Sequence, residues 1–190
     1  GTGFPEETGT GAGEGFSVNV PLAPGTDDEI FLWALETVVP PLLRAYAPDL
    51  LVTQLGIDTH RTDPLAHLTL TIQGFRRAVE VLRGCDLPWV ALGGGGYDLA
   101  NAPRAWTAAW AVMTGREVPD LLPDAARRAL QERGIRLETL SDPLPPPDPR
   151  ERAEAWRYAR ASVATVQELI FPRFGLTAGG AAPARGVRMG

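Results

Sequence analysis

Pro88-Trp89-Val90-Ala91-Leu92-Gly93-Gly94-Gly95-Gly96-Tyr97 is an apolar run that ends on four consecutive glycines and a tyrosine. The run reads as a buried strand. The glycines let the chain turn sharply and let other groups approach the backbone, because no Cβ stands in the way. Two readings fit Tyr97: a phenol aimed into a cleft as a hydrogen-bond donor, or an aromatic that caps a tight strand-to-helix corner. Upstream, Asp49-Leu50-Leu51-Val52-Thr53-Gln54-Leu55-Gly56 reads as a second buried strand, and a polar loop from Ile57 to Leu65 follows it. A helix is predicted from about Ile72 to Arg83, where Ile72, Phe75, Val79 and Leu82 recur close to the 3.6-residue period. Strand, helix, strand in this order is a βαβ unit, whose right-handed crossover makes the two strands parallel. Asp63 and Tyr97 then both lie beyond the carboxyl ends of parallel strands. That edge is where open α/β sheets bind ligands.

Outward from this unit the pattern stays legible. Gly1 to Gly15 is a loop rich in glycine, threonine and glutamate, and Phe16 to Leu22 alternates apolar and polar residues as a strand does. Asp27 or Asp28 is suited to cap a helix carrying Leu35, Val38, Val39, Leu42 and Tyr46, which Pro40-Pro41 should kink or split. Trp106, Trp110 and Met113 continue a helical spacing after Pro103 that ends near Gly115, and this aromatic stripe reads as core packing. A short charged helix from Asp124 to Arg133 stops at Gly134, and a proline-rich connection from Asp142 to Pro149 leads to a final helix. On that helix Trp156, Ala159, Val163, Val166 and Ile170 share a face. Only about three strands are legible.

Composition narrows the function classes. The chain is 44% hydrophobic and 22% charged, within the globular range, with a formal net charge of −5. That charge argues against a partner with a phosphate backbone, so no nucleic acid is expected. No run of about 18 apolar residues is present, so no membrane association is expected, and the single Cys85 suits a reducing cytoplasmic compartment. All 18 basic residues are arginine. Asp58, His60, Asp63 and His67 fall within ten residues, a spacing that invites a metal site; short polar loops of this type serve more often as turns and surface. A phosphate cradle at Gly93–Gly96 is a further reading, but neither a following Lys-Ser/Thr nor the G-x-G-x-x-G spacing is there.

Taken together, several segments resemble the zinc-dependent histone deacetylase superfamily. They are Gln54-Leu55-Gly56-Ile57-Asp58-Thr59, Asp63-Pro64-Leu65, Leu68-Thr69-Leu70-Thr71 and Gly93–Tyr97 with Asp98-Leu99-Ala100-Asn101 after it. The opening Gly1-Thr2-Gly3 and Gly11–Leu22 are similar as well, and Asp58-Thr59-His60-Arg61 with Val38–Leu43 resembles the bacterial acetoin-utilisation branch. The resemblance runs from residue 1 to about residue 118. It implies an α/β fold of the arginase/deacetylase type, a parallel sheet with helices on both faces. By position, it implies Asp63 as a metal ligand and Tyr97 as the donor to the substrate carbonyl. Leu70 and the Gly95-Gly96 backbone are implied as walls of the acyl-lysine tunnel. The implied cofactor is zinc, with iron(II) or cobalt(II) compatible with a single aspartate. The implied substrate is an acetylated protein lysine or a small acetylated amine. The family's Asp-x-His ligands and its paired histidines have no counterpart in matching order. The chain is therefore expected to be the C-terminal portion of such a domain over residues 1–176, inactive alone, with residues 177–190 a disordered tail. Its expected partner is the missing N-terminal half, and the sheet edge left open for that half is expected to promote self-association.

Overall fold

The computed structural model describes residues 3–143 and 148–178. Five α-helices and two strands form among them: α1 (Asp28–Tyr46), β1 (Leu51–Leu55), α2 (Ile72–Arg83), β2 (Trp89–Gly93), α3 (Asn101–Thr114), α4 (Asp124–Gln131) and α5 (Pro149–Leu169). β1 and β2 pair in parallel with Leu51 opposite Trp89 and Leu55 opposite Gly93, and α2 is the crossover between them. This is the expected βαβ unit of an α/β fold. A cross-strand bond from Trp89 Nε1 to Thr53 Oγ1 (2.9 Å) ties the pair on its inner face.

Local chemistry sets the helix boundaries. Asp27 caps α1 by accepting the Ile30 N–H at 3.0 Å, Thr71 caps α2 by accepting the Gly74 N–H at 3.1 Å, and Asp148 caps α5. Gly115 ends α3 in the left-handed conformation. Ile57, Ile72, Phe75, Val79, Ala105, Ala108, Ala109 and Val112 form a core between α2, α3 and the inner face of the strands. A second core joins α1 to α5 through Ala34, Val38, Val163, Val166, Ile170 and Phe171. On the other face of the strand pair Val52, Val90 and Leu92 are 57%, 45% and 54% exposed.

Four expectations are corrected. The stripe of Trp106 and Trp110 is not core packing: the two residues are 40% and 50% exposed, and Trp106 Nε1 donates to Leu55 O at 2.9 Å. Pro40-Pro41 does not split α1, which runs unbroken to Tyr46. Pro41 is itself buried with Ala34 and Val38, and this apolar packing holds the helix together across the missing N–H groups. Phe16 to Leu22 forms no strand: Phe16 N–H and Ser17 N–H donate to Gly13 O and Thr8 O at 3.1 and 3.3 Å, local turn bonds that build no ladder. Val20 and Leu22 instead pack on the α1–α5 core, and Asn19 Nδ2 bonds the carbonyls of Phe4 and Glu7 at 3.1 and 3.3 Å. The described ladder therefore holds two strands where about three were legible. Residues 179–190, most of the segment expected to be a disordered tail, lie outside the described residues.

Candidate active site

The turns that leave β1 and β2 meet. Ile57 N–H donates to Gly95 O at 2.7 Å, and Tyr97 N–H donates to Asp63 Oδ2 at 2.9 Å. The glycines make this approach possible. A Cβ on Gly94 or Gly95 would overlap the side chains of Gln54 or Asp58, and Gly96 combines a φ of +142° with contact against Ile57. The space above Gly95 is thus filled by the Asp58 carboxylate. That arrangement repels a phosphate and does not favour the cradle reading.

Asp63 is buried, and its second oxygen Oδ1 accepts the N–H groups of Leu65 (2.9 Å) and Ala66 (3.2 Å). Burial disfavours its charged form, but the backbone donors of Tyr97, Leu65 and Ala66, helped by nearby His60, outweigh burial and lower its pKa. Asp63 is therefore a fixed anion. Tyr97 is 55% exposed, and its phenol makes no hydrogen bond among the described residues. Leu70 is 1% exposed, and its backbone ties the same loop through Leu70 N–H to Thr59 O (3.2 Å) and Arg61 N–H to Leu70 O (3.0 Å).

His60 and His67 part ways. His67 is exposed at the loop surface, whereas His60 is buried and fully engaged. Arg104 Nη2 donates to Asn101 Oδ1 at 2.7 Å, which fixes the Asn101 amide so that its Nδ2 faces His60 Nδ1 at 2.7 Å. The Thr62 N–H also points at Nδ1, at 3.2 Å. With two donors facing it, Nδ1 is the unprotonated nitrogen, and Nε2–H donates to Asp142 Oδ2 at 2.8 Å. Thr62 Oγ1 accepts from Asn101 Nδ2 and donates to Asp98 Oδ2, both at 2.7 Å. Asp142 and Arg104 had no functional signal in the sequence, and Asn101 stood only within a segment that resembles the family: Asp142 lies in what reads as a linker, and no spacing connects it to His60.

A catalytic zinc site needs about three protein ligands and an open position. Among the described residues no group of three or more His, Cys, Asp and Glu side chains is arranged to hold a metal. His60 is turned to Asp142, away from that role. The described residues therefore do not make up a metal site by themselves.

The histone deacetylase domain family matches residues 1–113, more than half of the chain. The chain belongs to the histone deacetylase family. Among its relatives, a probable deacetylase of Archaeoglobus fulgidus is 37% identical over 150 residues, covering 73% of this chain and 42% of that protein. The acetoin utilization protein AcuC of Bacillus subtilis is 36% identical over 164 residues, covering 80% and 42%. The crystal structure of an HDAC homologue complexed with SAHA superposes with a TM-score of 0.74 at 34% identity, over 85% of this chain and 46% of the other. An HDAC homologue from Aquifex aeolicus superposes with a TM-score of 0.72 at 32% identity. The arginase/deacetylase fold expected from the histone deacetylase motifs is thereby shown. The chain spans less than half the length of these relatives.

Proposed function

We propose that this chain forms part of a metal-dependent deacetylase that hydrolyses an acetyl-lysine-type amide. In this reading Asp63 is one carboxylate ligand, and Tyr97 donates to the substrate carbonyl. The observation that supports it best is the 2.9 Å bond from Tyr97 N–H to Asp63 Oδ2, in a member of the histone deacetylase family. It ties the Asp63 carboxylate to the backbone that carries Tyr97, beyond the ends of two paired parallel strands. The other ligands and the proton-transferring groups come from residues outside this sequence, in the same domain or a separate chain. A bound zinc ion, or iron(II) or cobalt(II) in its place, supplies Lewis acidity toward the carbonyl and lowers the pKa of water. Tyr97 adds a hydrogen bond to the carbonyl oxygen, which strengthens as that oxygen gains negative charge when water attacks the carbonyl carbon. The C–N bond then breaks, and the amine leaves with a proton. Gly95 and Gly96, half-buried and adjoining Tyr97, are assigned to the wall of the approach, whereas Leu70 is buried and acts by holding the loop backbone at Thr59 and Arg61. Acetylated protein lysine and small acetylated amines both fit, in a cytoplasmic setting.

The test is acetate release from an acetyl-lysine peptide and from an acetylated polyamine, using the protein as its cell makes it. Tyr97→Phe is expected to cut turnover by about 10²–10³ and to leave the melting temperature unchanged, because the phenol supports no contact in the fold. Full activity in Tyr97→Phe sinks the proposal. The open face of Val52, Val90 and Leu92 favours a second reading, a non-catalytic deacetylase-like chain that binds a partner there. That reading expects no chelator sensitivity and no effect of Tyr97→Phe.

A further inference from the structure

We propose that Asp142 is a positioning residue for the candidate site, holding through His60 and Arg104 both segments that carry Asp63 and Tyr97. The inference rests on the reading of the site given above. Asp142 lies beyond the Leu121–Thr139 bridge, in a segment remote in sequence from both turns, yet its side chain is only 7% exposed. Its Oδ2 accepts His60 Nε2–H and the Ile72 N–H, each at 2.8 Å, and its Oδ1 accepts Nη1 and Nη2 of Arg104, each at 2.9 Å. Its backbone is clamped in turn by Gln73, whose Oε1 accepts the Asp142 N–H and whose Nε2 donates to the Asp142 carbonyl, both at 2.8 Å.

The bonds lead to the two turns by separate routes. His60 O accepts the Asp63 N–H at 2.9 Å, so fixing the ring fixes the backbone that presents Asp63. Arg104 bonds Ala100 O at 3.3 Å and Asn101 Oδ1, and Asn101 reaches Thr62 and thence Asp98, the residue after Tyr97. One carboxylate thus sets the distance between the turn after β1 and the start of α3. Only an anion satisfies the Arg104 guanidinium and the other donors together. A neutral amide in its place turns a donor toward one of them.

The experiment compares wild type with Asp142→Asn and with Gln73→Met, which releases the Asp142 backbone without stranding a charge. Amide hydrogen exchange is read at Tyr97, Leu65 and Ala66 against Val163 and Val166 of α5. Deacetylase kinetics with an acetyl-lysine peptide are read in parallel. Positioning expects protection to fall about tenfold or more at the three site amides with α5 unchanged, and kcat to fall about tenfold with KM little altered. Unchanged site protection, or an equal loss at α5, overturns the inference. If Asp142→Asn does not fold, Gln73→Met is judged by the same criteria. A wild-type protein that lacks deacetylase activity in the form its cell makes overturns the reaction assigned above, and the exchange pattern still decides the role of Asp142.

Discussion

Asp28 and Asp142 both accept hydrogen bonds at the N-terminus of α2, and their environments push their acidities apart. Asp28 accepts Thr71 N–H and Thr71 Oγ1–H at 2.8 and 2.6 Å, yet burial dominates and raises its pKa. At Asp142 burial also opposes the charge, but His60, the Ile72 N–H and Arg104 together bring the pKa down from 3.8 to about 2. A carboxylate with a depressed pKa stabilises the fold above its unfolded-state pKa and loses that contribution as pH falls through the folded value. Urea melts between pH 5 and 2 are therefore expected to show stability falling below about pH 4. The Asp142 share is about 1–2 kcal/mol. Asp63 and Asp120 act with the same sign and Asp28 with the opposite one. A flat profile over this window contradicts the ion cluster. Gly74 supplies a second test. Alanine normally stabilises a helix by about 1 kcal/mol over glycine, but a Cβ here would overlap the Asp28 carboxylate. Gly74→Ala is expected to destabilise by about 1–3 kcal/mol, measured as a shift in the denaturant midpoint.

At the scale of elements, the turn after β2 is the part least tolerant of change. Gly94, Gly95 and Gly96 pass so close to Gln54, Asp58 and Ile57 that side chains there would part the two turns. Gly96→Ala meets two obstacles, the positive φ and the Ile57 methyl. It is expected to lower protection of the Tyr97 and Ile57 amides before it lowers the global melting temperature. Exchange measured residue by residue checks the order. The sequence shows plainly that four glycines turn the chain, whereas what they make room for is not written locally. Their neighbours come from the other turn of the βαβ unit. The same holds for α1: Pro40-Pro41 looks like a break until Pro41 is seen buried with Ala34 and Val38 in a helix that runs through.

Over the whole molecule, the strand pair is covered on one side by its helices and leaves Val52, Val90 and Leu92 open on the other. Parallel strands are stable when both faces are covered, and strand edges without partners invite pairing between chains. The 190-residue chain alone is expected to self-associate in sedimentation velocity, and Val90→Lys with Leu92→Lys is expected to shift it toward monomer. A monodisperse wild-type monomer that melts cooperatively contradicts this.

Periodicity and glycine placement determined the βαβ unit, the parallel pairing and the convergence of Asp63 with Tyr97, because those features depend on residues close in the chain and on a crossover of one hand. Resemblance over residues 1 to about 118 pointed to the histone deacetylase family, which the comparisons showed. Only the tertiary structure decided that His60 is buried against Asp142, that Arg104 and Asn101 complete the network, and that Phe16–Leu22 pairs with no strand. Those outcomes depend on which distant segment supplies the partner for a buried charge or an open backbone. A polar side chain carries no mark of that partner until the fold brings it there.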